Sequence, residues 1–196
     1  MATTDRRIRE TEALRERILD TAEDIMVREG IRQITMRRIA AAVDYAPTVL
    51  YRLFDNKAGL MEQLIARGYE GVRDRYREVD ISEHDEPLAA LRQLLGVYVD
   101  YALGHPNHYR MWFETGDLHR DGENMIMSHD RLKYVVFGAW LEHIARCQGD
   151  GLWIEQTPDA VFQRLWSRIH GLISLRLQHP GFPWRPATAA LDDVLA

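Results

Sequence analysis

A single cysteine, Cys147, stands among 196 residues, so no disulfide can form within the chain. A reducing compartment such as the cytoplasm fits that usage. No apolar run approaches the roughly eighteen residues that a membrane span needs. Met1–Arg17 is crowded with charge and has no apolar centre of the signal-peptide kind. Internal repeats, low-complexity tracts and alternating runs of period two are missing too. So are the loops that announce chemistry: there is no G-x-S-x-G, no P-loop and no G-x-G-x-x-G. His119-Arg120-Asp121 matches a kinase catalytic loop in letters only, because no Gly-rich loop or Asp-Phe-Gly accompanies it. These absences weigh against secreted, membrane-spanning, collagenous and disulfide-framed classes. They leave no catalytic residue and no cofactor to expect.

What remains is an ordinary globular composition, 46% apolar and 28% charged. The length is enough to bury a core without disulfides or metals. Eight tyrosines, five tryptophans and seven methionines leave room for aromatic and thioether-lined pockets. The net charge of −5 argues against a uniformly basic coat for nucleic acid. Yet Ile31–Leu60 holds Arg32, Arg37, Arg38, Arg52 and Lys57 against only Asp44 and Asp55. That segment is +3, and the rest of the chain is therefore −8. A short basic segment in an acidic protein reads as an anion-facing module on a differently employed body. The plain alternative is that windows of this length fluctuate by a few charges.

Periodicity reads as helix throughout. Ile8, Leu14, Ile18, Ala22 and Ile25 share one helical face, and Gly30 ends that helix as a C′ residue. Thr35 is an N-cap for a short helix whose inner face is Met36, Ile39, Ala40 and Val43. Pro47 suits the first turn of the next helix, which holds Leu50 and Phe54 inward. Asn56 caps a long helix from Lys57 to about Val79. Further helices are expected at Pro87–Leu103, Asn107–Glu114, Met125–Cys147, Pro158–Gln178 and Ala187–Leu195, with a polar, mobile loop at Thr115–Asn124. The fold class is all-α, with about nine helices. Two domains are expected, 1–62 and 63–196.

Thr35–Phe54 has the form of a helix-turn-helix, two short helices on one apolar seam with the second presenting its N-terminal half outward. Thr35-Met36-Arg37-Arg38-Ile39-Ala40, then Val43-Asp44-Tyr45-Ala46-Pro47-Thr48-Val49-Leu50-Tyr51-Arg52-Leu53-Phe54, then Lys57 and Leu60, resembles the DNA-binding domain of the TetR family of bacterial regulators. With the first helix, the resemblance covers about residues 8–62. The family usually has Gly-Val-Ser at the turn where this chain has Asp44-Tyr45-Ala46. Asp tolerates a left-handed turn position, and Ala46 gives up a cap hydroxyl at about 1 kcal/mol. The rest of the chain resembles, in fewer positions, the branch of the family named for a Trp-His-Gly signature. Tyr101-Ala102-Leu103, His105-Pro106, Tyr109–Phe113 and Trp166…His170-Gly171-Leu172 carry that likeness. It implies an all-α effector and dimerisation domain, with no particular ligand.

Residue roles follow. Thr35 at a helix N-terminus, Tyr51 and Lys57 suit phosphates. Pro47, Thr48, Val49 and Arg52, with Arg37 from the preceding helix, suit base edges. Thr35 as a plain cap, Val49 as core and Arg52 as a solvated charge are the bland alternatives. Arg6, Arg7 and Arg9 suit either a backbone-binding arm or a disordered tail. Tyr98, Tyr101, Met111, Trp112, Phe113, Trp140, Trp166 and His170 are the bulky candidates for an effector pocket. An aromatic stripe at helical spacing is also what plain core looks like. His105, His108, Glu114, Asp117, His119, Asp121, Glu123 and His129 crowd together, but without H-E-x-x-H they read as a solvated loop and no metal is expected.

The expected function is a ligand-responsive regulator of transcription, a cytoplasmic homodimer that represses from a palindromic DNA operator until a small apolar or amphipathic molecule releases it. A DNA-binding architectural protein without an effector is the alternative. An all-α enzyme lacks any catalytic constellation.

Overall fold

The computed structural model describes residues 2–79, 86–114 and 131–196. Among these residues there are nine α-helices and no strand. They are α1 (Ala2–Glu29), α2 (Met36–Ala42), α3 (Pro47–Phe54), α4 (Lys57–Glu78), α5 (Pro87–Gly104), α6 (Pro106–Glu114), α7 (Arg131–Gly149), α8 (Pro158–Gln178) and α9 (Ala187–Leu195). The expected loop at 115–124 and the start expected for α7 at Met125 lie outside the described residues.

By their contacts the described residues form two units: residues up to 67 with 110–114, and residues 68–109 with 131–196. In the first, α1 ends at Gly30, whose φ of 91° is a conformation that side chains disfavour. A 3-10 turn at Ile31–Gln33 then leads into α2. The expected inner face of α2 is found: Met36, Ile39, Ala40 and Val43 are all buried, as are Ile18, Ala22 and Met26 of α1 and Leu50 and Phe54 of α3, the two helices that α2 packs on. One expectation fails. Ile8 is 61% exposed, and full burial begins only at Ile18. Residues 5–13 are exposed throughout, so Ile8 has no core to join despite its helical phase. Arg67 of α4 anchors α1 through Asp20 at 2.7 Å and through Glu16.

In the second unit α5 is the central element, packed on α7, α8 and α9. It buries Leu91, Leu94, Leu95, Tyr98, Val99 and Ala102, more than one face, as a helix with neighbours on several sides must. From α8 only the stripe Val161, Leu165, Ile169 and Ile173 is fully buried. Thr157 caps α8, its Oγ1 accepting from the Ala160 N–H at 3.3 Å. Arg168 closes α9 by donating to the carbonyl of Val194 at 2.8 Å. Gly71 of α4 lies against the Tyr101 ring: an added Cβ would sit 2.5 Å from the hydroxyl.

Candidate nucleic-acid interface and effector domain

The helix-turn-helix is built by local chemistry. Thr35 Oγ1 accepts from the Arg38 N–H at 3.2 Å, which leaves its hydroxyl proton to donate outward. Asp44 takes φ 60° at the turn, the left-handed position that glycine usually fills. The Tyr45 N–H then donates to Ala40 O at 2.9 Å and closes the turn. Ala46 stands at the N-cap of α3 with no side-chain cap, and Pro47 fills the first helical position where its missing N–H costs nothing. Asn56 Oδ1 accepts from the Gly59 N–H at 3.0 Å and starts α4, so that Lys57 is its first helical residue.

On this frame Thr35, Arg37, Thr48, Tyr51 and Arg52 are exposed, Pro47, Val49 and Lys57 half-buried, and Leu50 and Phe54 point inward. Arg37, Arg52 and Lys57 have no ion pair among the described residues, whereas neighbouring Arg38 is held by Glu29 and by Gln33 at 3.1 Å. Arg37 of α2, Arg52 of α3 and Lys57 of α4 are thus left for another partner, and Arg38 is structural. Two residues escape sequence reasoning. Tyr45, 41% exposed, lies under the Arg17 guanidinium at 5.2 Å, and Arg17 also donates to the carbonyl of Val43 at 3.2 Å. Arg17 is 26 residues from the turn it braces, beyond the reach of any periodicity.

The aromatic candidates fall into separate groups. Tyr98 and Trp140 meet edge to face at 5.2 Å, with Phe137 against both. Trp140 Nε1 donates to Tyr76 Oη at 2.8 Å. Burial pushes the Tyr76 and Tyr98 phenols well above their ordinary range, so both stay protonated. Tyr101 Oη is 2.8 Å from His108 Nδ1, and the His105 ring stacks on Tyr101 at 4.2 Å. Arg75 covers the Tyr101 ring at 5.0 Å. Trp166 lies 5.9 Å from His170, and Tyr109 Oη reaches His170 Nδ1 at 2.6 Å. Burial lowers the His170 pKa and favours the neutral ring. Met111 and Trp112 are buried and Phe113 half-buried, and by contact all three belong to the first unit. Burial raises the Cys147 pKa and keeps the thiol protonated.

Among the described residues no three His, Cys, Asp or Glu side chains come together as metal ligands. Asp117, His119, Asp121, Glu123 and His129 lie outside that set. Among the described residues no helix is long and apolar enough to cross a membrane.

Solved structures share the fold. A protein of unknown function from Rhodococcus sp. RHA1 superposes with a TM-score of 0.74, at 18% identity over 93% of both chains. Thermus thermophilus FadR, a TetR family transcriptional repressor in complex with lauroyl-CoA, gives 0.62 at 17% identity, over 92% of this chain and 91% of its own. RolR in complex with resorcinol gives 0.61 at 16%, over 87% and 82%. At these identities the likeness shows the fold alone. No curated protein matches the sequence. Family models decide the relationship. The one described as bacterial regulatory proteins, tetR family, matches residues 18–64. The one described as tetracyclin repressor-like, C-terminal domain, matches residues 91–196, more than half of the chain. A helix-turn-helix of free cations and an all-helical second unit, each matched by its own model, place this chain in the TetR family of DNA-binding transcriptional regulators, which are not enzymes.

Proposed function

We propose that this chain is a cytoplasmic, ligand-responsive repressor that binds a palindromic operator as a homodimer. The observation that carries the reading is the Thr35–Lys57 segment, where Arg37, Arg52 and Lys57 have no ion pair among the described residues and the N-terminal half of α3 keeps Thr48 and Tyr51 exposed. Thr35, Tyr51 and Lys57 hold phosphates. Arg37, Pro47, Thr48, Val49 and Arg52 meet base edges, with arginine as the usual partner of guanine. We take residues 1–62 as the DNA-reading domain and 63–196 as the effector and dimerisation domain.

Two proteins of this fold hold small molecules in their structures, lauroyl-CoA in one and resorcinol in the other, which supports an effector here. Tyr98, Tyr101, Trp140, Trp166 and His170, all of the second unit, are the residues we assign to it. The assignment to the Trp-His-Gly branch rests on Trp166, His170 and Gly171, one turn apart on α8. Tyr98 and Trp140 pack directly on each other, so an apolar effector enters by parting aromatic rings. Release of DNA then requires that the effector bind the DNA-incompetent arrangement more tightly than the competent one. Selection of genomic fragments by the full chain, followed by a ligand-release screen on the selected duplex, tests both halves. Enrichment of one palindromic sequence that some apolar or amphipathic compound displaces is the expected result. Failure to enrich any sequence defeats the DNA reading, and an operator that no compound releases defeats the effector reading.

A further inference from the structure

The C-terminal end of α8 and the stretch leading into α9 enclose a crevice of about 330 Å³, lined chiefly by Leu172, Arg176, Phe182, Trp184, Arg185 and Asp193. That volume lies at the lower end of small-molecule sites, about 300–1,000 Å³. None of the residues assigned above to DNA or effector lines it. Two aromatic rings form its walls: Phe182 and Trp184 lie 4.4 Å apart between centroids, tilted by 49°. Phe182 keeps 57% of its surface open. Trp184 is fixed, because its Nε1 donates to the carbonyl of His179 at 2.9 Å and the Arg176 guanidinium lies over its ring at 5.4 Å. A helix stop needs only His179-Pro180-Gly181. It does not need two large aromatic residues behind them.

The two arginines of the crevice are not alike. Arg185 is matched by Asp193, Nη1 to Oδ2 at 3.0 Å. Arg176 has no carboxylate partner among the described residues. Its Nη2 donates to the carbonyl of Arg185 at 2.6 Å, and its Nε is buried with no acceptor. The crevice therefore carries one uncompensated positive charge beside an aromatic wall. A guanidinium whose charge has no anionic partner is best satisfied by a carboxylate, which matches its planar fork. The aromatic wall takes a flat apolar body. We propose that this crevice is a second small-molecule site that takes a compact aromatic carboxylate, its ring against Phe182 and Trp184 and its anionic head on Arg176. The site lies wholly within the second unit and depends on neither the operator nor the effector proposed above.

Indole-3-acetate is the probe, and indole-3-acetamide is its neutral counterpart of nearly the same shape. Both are titrated calorimetrically into the full chain and into Arg176→Gln, Arg176→Lys and Trp184→Phe, with sedimentation in parallel. The acid is expected to bind saturably, with the amide about tenfold weaker. Arg176→Gln should lose about tenfold for the acid and little for the amide, while Arg176→Lys recovers part of that loss. Trp184→Phe, which keeps a ring but loses the indole anchor, should weaken acid and amide by a similar factor. If Arg176→Gln does not fold, the comparison of acid with amide on the unaltered chain still decides. Absence of saturable acid binding, equal affinity for acid and amide, or full affinity in a folded Arg176→Gln overturns the proposal. So does an acid that splits the assembly into single chains, because the crevice then belongs to a second copy.

Discussion

Arg37 and Arg38 are neighbours in the chain with different uses. Arg38 is tied back to Glu29 and Gln33, while Arg37 is exposed and unpaired among the described residues. The composition of the segment counts both as basic and cannot separate them, because the distinction depends on where the Gly30 turn brings Glu29. With Lys57 on phosphate and Arg37 on a base, Lys57→Ala weakens binding to every duplex about equally. Arg37→Ala instead relaxes preference at one base pair, at a cost of about 1–3 kcal/mol there. Binding to a panel of single-base operator variants checks this, and a uniform loss in both mutants moves Arg37 off the bases. His170 titrates in a predictable direction. Burial depresses its folded-state pKa, so the stability due to the neutral ring is present above the unfolded value of about 6.5 and is lost as pH falls through the folded one. His170→Gln removes that titration. The wild type should lose more stability than the mutant between about pH 7.5 and pH 5.5, as measured by denaturant unfolding, and equal losses contradict the assignment.

At the scale of the element, local signals carry furthest. The Thr35 cap, the inner face of α2, Pro47 at the start of α3 and Asn56 before α4 are all readable from sequence, since each acts within about one helical turn. The first turns of α1 show the limit. Ile8 is in phase with the core face but has nothing beside it, and phase alone does not say where a neighbour ends. The effector unit is harder still. Tyr109 finds His170 across 61 residues and Trp140 finds Tyr76 across 64, and no pattern in a single helix encodes such pairings. Met111, Trp112 and Phe113 read as one aromatic run with Tyr98 and Tyr101, yet they belong by contact to the first unit. One close approach yields a direct test. Gly71→Ala places a methyl 2.5 Å from Tyr101 Oη and 2.7 Å from its Cε2, and the ring is held by His108 and stacked on His105. Despite the better helix propensity of alanine, the protein should lose about 1–3 kcal/mol in chemical denaturation. A neutral or stabilising result would mean that the Tyr101 ring moves freely.

At the scale of the whole molecule, we propose that two chains work together. α8 buries only Val161, Leu165, Ile169 and Ile173 completely, and leaves Leu175 48% exposed with Phe162 and Leu177 half-buried. A helix apolar on several faces is covered on several faces or exposes a large patch. Among the described residues, and apart from their own helices, nothing lies within 4 Å of a Cβ added at Gly138 of α7 or Gly171 of α8, which leaves room for another backbone. We assign the dimer to α7 and α8 of each subunit, a four-helix bundle about a two-fold axis. Leu175→Glu should give a folded monomer in sedimentation at micromolar concentration, and an undisturbed dimer moves the interface elsewhere. In the proposed complex, two copies of the Thr35–Lys57 segment bind one operator through phosphates. The most direct measurement is the affinity of the full chain for a selected operator as salt rises from about 50 to 200 mM. A fall of orders of magnitude is expected, with a slope that becomes shallower by about two counterions when Lys57→Ala removes one contact from each subunit. An affinity that does not change with salt, or a slope that Lys57→Ala leaves intact, would contradict it.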